Sequence, residues 1–420
     1  MAIHRSNISN FSSQILIVGG GLCGIATAIA LRRSGQQVIV FERMSALLEI
    51  GAGIQLPPNA TRILQEWNVL QPIMQYAYMP KEGSLRSYRG TVLTRQTSGK
   101  EIEEEYGSPY LVIHRADLLK VLVSEAKNLG VDIKLGANVS KINFENPSIT
   151  LSTGEVFSGH MVLGADGERS MCRGALLGHP DIPQSTGDVV FRIAIKRDNA
   201  SQLQSLKELM EQPTVNVWLG PDSHAVTYLL KNDILNVVLV TRDKIGGKTI
   251  YGPQEASISE LKAAFAGWDP IFETILDVKD SDCTKWTLLH INEVESWCHP
   301  SGKFALIGDA AHAMLPYLAQ GAAQAFEDAA VLGTLFADIK DLSQIPDAMF
   351  AYEKLRKPRA MEVRKRTLDQ KIMYGLHDGP HQEARDQQLA LTTPMENMQE
   401  WLWGNDVLAE AKRMSEIVLS

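Results

Sequence analysis

Cysteine is scarce in this 420-residue chain. Cys23, Cys172, Cys283 and Cys298 stand far apart, with no Cys-x-x-Cys pair and no cysteine and histidine at metal-ligand spacing. That pattern excludes a zinc motif and supports no disulfide framework, so no metal site is expected. Basic clusters are missing too. The formal net charge is -8, which argues against nucleic acid or an anionic membrane surface as a partner. No apolar run reads as a membrane span: the most apolar stretch, Ile15 to Leu31, is interrupted by glycines. The first fourteen residues are polar and lack the apolar segment of a secretory signal. Internal repeats and low-complexity segments are absent as well. With 45% hydrophobic and 21% charged residues, the composition is that of an ordinary globular protein. The expectation is a cytoplasmic enzyme, monomer or homodimer, long enough for two or three domains.

What is present begins with "SSQILIVGGGLCGIATAIALRRSGQQVIVFER". "QILIVG" is a continuous β-branched run, the mark of a buried parallel strand. "LCGIATAIALRRSG" carries Ala, Ile and Leu at helical spacing and stops at Gly35. "QQVIVFE" is the next strand, which completes a βαβ unit. Pro57-Pro58 start a helix after the loop "MSALLEIGAGIQLPP", and "PYLVIHRADLLKVLVSEAKNLG" is a further strand-to-helix step with Arg115 at the helix entrance. Between Thr186 and Asn292 the texture changes to alternating strands, "DVVFRIAIK", "TVNVWLG", "HAVTYLL" and "ILNVVLV", with the helical "SQLQSLKELM" among them. "GKFALIGDAAHAMLPYLAQGAAQAFEDAAVLGTLF" then returns to strand, turn and Ala-rich helix. The expected class is α/β. A Rossmann-like nucleotide-binding domain is split between residues 1–185 and 293–342. A mixed β-sheet domain for substrate is inserted at 186–292, and a helical region occupies 343–420.

Gly19-Gly20-Gly21-Leu22-Cys23-Gly24 fits G-x-G-x-x-G between a strand and a helix. In that motif Gly19 makes the turn, Gly21 lets backbone approach a pyrophosphate, and Gly24 lets the helix pack closely on the strand. Glu42 ends the next strand, just before Arg43. A carboxylate there accepts hydrogen bonds from a ribose diol and repels a 2′-phosphate. The motif alone leaves FAD and NAD open. Asp309 in "LIGDAAH" follows a strand, and Gly321-Ala322-Ala323 opens a second small-residue turn into a helix. Two such turns suit a cofactor longer than one nucleotide, although Asp309 taken alone is also an N-cap. Asp166 in "GADGERS" reads, by spacing alone, as a turn residue.

Together these segments resemble the class A flavoprotein monooxygenases, and most of all the fungal salicylate hydroxylase-like branch that acts on phenols and polyketide aromatics. The likeness rests on "GGGLCG" with Glu42, "HRADLL", "GADGERS" and "GDAAHAMLPYLAQGAAQAFEDAA", and runs from about Gln14 to Arg359. It implies a glutathione reductase-type FAD domain, FAD bound in an extended pose, NADH or NADPH as a visiting co-substrate, and O2. A flavin C4a-hydroperoxide would then hydroxylate the aromatic. On that resemblance Glu42 holds the adenosine ribose. Arg115 and Asp309 contact the pyrophosphate and ribityl region. Gly321 and Ala322 set amides near the isoalloxazine, Gly53 lies on its other side, and Asp166 belongs to a turn that serves both cofactors. The loop departs from the common glycine-rich "GxGxN" form: Ala319, Ala322, Ala323 and Gln324 stand there.

The chemistry favours a phenolate, so an oxyanion site is expected. Arg192 sits in the apolar "VVFRIAI", with Val190, Arg192 and Ala194 on one strand face and Phe191, Ile193 and Ile195 on the other. Tyr228 lies in "HAVTYLL". In resembled phenol hydroxylases an Arg and a Tyr on such strands hold the phenolate. The plainer alternatives are a solvated edge-strand arginine and a core tyrosine. His312 and His114 read as structural. Trp401 and Trp403 read as packing aromatics or a lid. No Trp-x-Trp-x-Ile-Pro halogenase pattern is found. Dearomatisation or epoxidation by the same intermediate, a flavin oxidase, and a non-catalytic carrier such as the Rab GDP-dissociation inhibitors are the competing functions.

Overall fold

The computed structural model describes residues 11–47, 53–96, 99–200, 204–231, 233–243, 249–278, 282–391 and 396–419. Residues 1–10, residues 48–52 of the loop before Pro57 and the start of the "SQLQSLKELM" segment lie outside the described residues.

Five short parallel strands form the first sheet. Their order is Phe304–Leu306, Met161–Gly164, Gln14–Val18, Gln37–Glu42 and Asp132–Leu135. Ile15, Leu16 and Ile17 are fully buried. Their run is continuous rather than alternating because both faces of a parallel sheet are covered. The helix Leu22–Arg33 packs closely on the helix Gly321–Ala337: a Cβ on Gly333 would stand 2.8 Å from the Ala30 Cβ. Chain order reverses on either side of the first strand. In such sheets ligands bind at the carboxyl ends of the strands at that switch point.

The second sheet has eight strands, and all its pairings are antiparallel but one. It centres on Gln184–Lys196, Ile234–Arg242, Ser223–Leu230 and Thr214–Gly220. It also takes in Glu82–Ser87 and Val92–Gln96 from the first segment, with Glu82–Ser87 parallel to Thr214–Gly220. The sheet is therefore not confined to residues 186–292. Phe191, Ile193 and Ile195 are buried with Trp218, Phe265 and Phe272 on one side. Val190, on the other side, packs with Leu219, Val240 and Tyr317, as strand alternation requires. A small antiparallel sheet is formed by Gly53–Leu56, Leu111–His114 and Ala77–Tyr78.

A buried ionic network joins the carboxy-terminal helices to the nucleotide-binding half. Arg356, in the long helix Ile345–Tyr374, donates to Asp328 Oδ1 at 2.8 Å, Glu327 Oε2 at 2.6 Å and Gln324 Oε1 at 2.7 Å. Arg359 forks onto both Glu327 oxygens at 2.7 and 2.9 Å. Asp328 Oδ2 takes the Gly308 N–H at 2.8 Å and pairs with His312 Nε2 at 2.7 Å. Burial would raise the Asp328 pKa, but His312, Arg356 and the Gly308 amide outweigh it and bring it down to about 2. The same contest, won by Arg356 and Arg359, lowers Glu327. His312 is thus a structural residue, stacked at a tilt on Trp297 at 5.1 Å. Between Asp309–His312 and Gly321–Ala337 the chain turns through Ala319, which has φ +53°. That left-handed conformation costs a residue with a Cβ about 1–2 kcal/mol.

Three outcomes follow. Arg356→Met should lower stability by about 3–5 kcal/mol in urea unfolding, because it strands buried carboxylate charge. Asp328 has a folded pKa below its unfolded one, so its contribution is present above about pH 4 and lost as pH falls toward 2. Asp328→Asn should flatten that acid-side loss. Ala319→Gly should stabilise the fold by about 0.5–1 kcal/mol once the extra unfolded-state entropy of glycine is subtracted, read as a raised melting temperature.

Candidate active site

The first glycine turn is built by close approach. Gly19 has φ +111°, and a Cβ there would lie 2.3 Å from the Ala165 carbonyl oxygen of the neighbouring strand end. A Cβ on Gly24 would lie 2.0 Å from the Gly19 oxygen, so the helix can enter only over a glycine. Gly21 differs: nothing stands within 4 Å of its Cβ position, and the same holds for Gly321. Both face one cavity of ≈ 350 Å³, which Arg115, Asp309 and Ala322 also line. The helices starting at Leu22 and Gly321 have no side-chain caps. Their first N–H groups and dipoles therefore favour an anionic or carbonyl-rich ligand. Glu42 stands at the Gly21 end. Its carboxylate accepts from the Gly20 N–H at 2.8 Å and the Met44 N–H at 2.9 Å, which fixes it beside the turn with lone pairs to spare. A long phosphate-bearing cofactor fits this arrangement.

Five expected residues do not line the cavity: Gly19, Gly24 and Glu42 shape the first turn beside it, and Arg43 and Asp166 stand apart. Arg43 is exposed beyond the strand end. Asp166 is turned inward on its own loop, accepting from Ser170 Oγ and from the Cys172 N–H at 3.0 Å. Its neighbours Ala165 and Gly167 line the cavity instead. Arg173, not singled out from the sequence, ties the Asp166 loop to the helix that starts at Asp309. Fully buried, it donates to the Glu168 and Ala310 carbonyls at 2.9 and 3.1 Å and to Asp181 at 2.6 Å.

The opposite wall is the second sheet. Register places Arg192, Val238 and Val226 in one row and Ala194, Asn236 and Tyr228 in the next, and the cavity is lined by Arg192, Val226, Tyr228 and Val238 among others. Arg192 is no edge residue: its strand pairs on both sides. Its guanidinium lies 5.3 Å from the Trp286 ring and donates to the Gly53 carbonyl at 3.4 Å, while its Nε is buried without a hydrogen bond. Burial lowers its pKa, and Arg115 adds to that effect. Burial pushes Tyr228 up to about 12 against the pull of Arg192, so its hydroxyl remains a donor. The ring of Tyr228 is pressed on Gly53, where a Cβ would come within 2.2 Å of it, and Asn236 Oδ1 accepts the Gly53 N–H at 3.1 Å. Backbone from the nucleotide side and side chains from the sheet thus meet at Gly53.

His224, also not foreseen, lines the same cavity two turns of alternation from Tyr228. Burial lowers its pKa to about 3, so the ring is neutral. The only available signal was its place in "HAVTYLL", where period two sets 224, 226 and 228 on one face. Of the two tryptophans, Trp403 packs on Tyr106 and Tyr110, both at 5.6 Å. Trp401 lies under Arg359 and Arg366.

Residues 12–367 match the family described as FAD binding domain. The chain is 38% identical to "FAD-dependent monooxygenase OpS4" of Beauveria bassiana, over 95% of this chain and 96% of that protein. It is 30% identical to "Salicylate hydroxylase" of Pseudomonas putida, over 95% and 94%. The crystal structure of CtdE in complex with FAD and a substrate superposes with a TM-score of 0.84 at 20% identity, covering 97% of this chain and 100% of that one, a likeness of fold. The chain therefore belongs to the FAD binding domain family and is an oxidoreductase of its FAD-dependent monooxygenase kind.

Proposed function

We propose that this enzyme hydroxylates a phenolic aromatic, of the polyketide or secondary-metabolite kind, with NADH or NADPH and O2 as co-substrates. The observation that carries this reading is a single cavity. The glycine turns and the valine-lined face of the second sheet that carries Arg192 and Tyr228 line it together, so a cofactor and an aromatic can meet there. Reduced FAD supplies the activation of O2 for transfer to an aromatic carbon. The residues that would hold FAD are Gly19, Gly21 and Gly24 at the first turn and Glu42 at the ribose, with Arg43 beside it. Arg115 and Asp309 would take the phosphate and ribityl segment, with Gly53, Gly321 and Ala322 around the ring system. Asp166 would act through the turn it shapes. We place the enzyme in the cytoplasm, as a monomer or homodimer. No helix among the described residues is long and apolar enough to cross a membrane.

The protein's own part is to prepare the phenol. Arg192 offers a permanent positive charge in an apolar wall, where charge–charge attraction is stronger than in water. An oxyanion placed there restores the hydrogen bonding that its buried Nε lacks. Tyr228, protonated at working pH, donates to the same oxygen. Neutral His224 accepts a hydrogen bond and can orient the phenol before its proton leaves. Val226, Val238, Val240 and Leu315 keep the reacting region dry.

Arg192→Ala and Tyr228→Phe should each slow hydroxylation about ten- to a hundredfold while FAD is retained, since a charge-assisted bond is worth about 1.5–3 kcal/mol. Arg192→Lys should recover only part, because a point charge lacks the planar fork. Single-turnover assays with the substrate identified from a phenol panel test this, and parental rates in both variants would refute it. Glu42→Ala should weaken FAD binding by about 1–3 kcal/mol with an unchanged circular dichroism spectrum. Fluorescence titration of the apoprotein with FAD measures it, and unaltered affinity would remove Glu42 from the ribose.

A further inference from the structure

A second cavity, of ≈ 100 Å³, opens beside the first and shares Gln55, His224, Val226, Pro316 and Ala319 with it. Among the described residues no Asp, Glu, Lys or Arg lines it. Val215, Val217 and Val226 form the sheet side, and Leu402 and Trp403 close it from the carboxy-terminal helices.

Two of its tyrosine hydroxyls are committed to hydrogen bonds with other side chains. Tyr110 OH donates to Gln55 Oε1, and Tyr317 OH donates to Asp188 Oδ2 at 3.2 Å. His224, 5% exposed, makes no side-chain hydrogen bond among the described residues, and its ring lines both cavities. The cations of the site, Arg115 and Arg192, line the larger cavity and not this one.

We propose that this second cavity is a substrate subsite for an uncharged, apolar substituent, such as an alkyl chain or a second ring, on a phenol whose hydroxyl is held by Arg192 and Tyr228 in the larger cavity, with His224 at the rim between the two. The inference rests on the phenol-hydroxylating reading above and adds what the ring carries at its end remote from the flavin turns. A carboxylate there would lose its water and meet no cation, since burial keeps His224 neutral, and an unpaired buried charge is strongly disfavoured. An apolar group gains by leaving water. Apolar-lined cavities of about 150 Å³ take up benzene, so the space here suits a short chain or the edge of a ring. A carboxylate on the substrate is confined to the end that faces Arg192. The relative named salicylate hydroxylase bears the name of a carboxylated phenol, so the subsite would separate this chain's preferences from that name.

Binding to the FAD-loaded enzyme, followed through the flavin absorbance and fluorescence, tests the assignment without relying on turnover. The probes are 5-methylresorcinol, 5-pentylresorcinol and 3,5-dihydroxybenzoate, which share a ring and differ in one substituent. The two alkyl compounds should bind at least tenfold more tightly than the carboxylate. Val217→Trp, made to fill the subsite, should weaken 5-pentylresorcinol at least tenfold and 5-methylresorcinol by less. Equal or tighter binding of 3,5-dihydroxybenzoate overturns the subsite. So does a Val217→Trp enzyme, folded and FAD-loaded, that binds the pentyl compound as well as the parent. Failure of a broad set of phenols to perturb the flavin at all would overturn the phenol reading itself, and the subsite with it.

Discussion

The arrangement depends on one buried carboxylate. Asp328 accepts the Gly308 N–H, pairs with His312 and receives Arg356, all with no exposure to solvent. It lies in the helix that begins at Gly321, while Gly308 and His312 flank Asp309, so one side chain fixes the spacing of two ligand-facing turns. Arg356 and Arg359 then bring the long helix onto the same point, and Arg359 reaches on to the Leu402 carbonyl. A group of this kind contributes little net stability, since desolvation consumes much of the attraction. Its value here is positional. Misplacing any member leaves a buried charge alone, which penalises alternative packings of the turn.

The sheet side works by a different economy. Its inner face is mostly valine, and a few polar side chains interrupt it at register-adjacent places. Arg192, Tyr228 and Asn236 converge on Gly53, which carries no side chain and so admits the tyrosine ring. The nucleotide side contributes backbone and the sheet contributes side chains. Gly53 is thus the point at which a change in the sheet reaches the other half, through Asn236 on its N–H and Arg192 on its carbonyl.

Much of this was legible in the sequence, for a local reason. Glycine turns between a strand and a helix, a carboxylate at the end of the next strand, and alternation around Arg192 are all patterns within some twenty residues. The parts that escaped are partnerships over long separations. Arg173 reads as one more helix charge until Ala310 is seen beside it, and Arg356 looks like a solvated face of a charged helix although it is fully buried. His224 shows nothing in its own neighbourhood, because its meaning lies in two cavities assembled from distant segments. The strands Glu82–Ser87 and Val92–Gln96 are short and polar, without the β-branched runs that mark the rest of their sheet.

Those two strands bear on how the molecule can be taken apart. Because Glu82–Ser87 lies parallel against Thr214–Gly220, the sheet is stitched from both sides of the nucleotide-binding half. Excising residues 186–292 would strip Glu82–Ser87 of its inner neighbour and bare a ladder of amides and carbonyls, a template for intermolecular pairing. A chimaera that borrows this sheet from a relative must carry the hairpin as well as the insertion. The unit of exchange is the spatial sheet, which no single cut in the chain delimits.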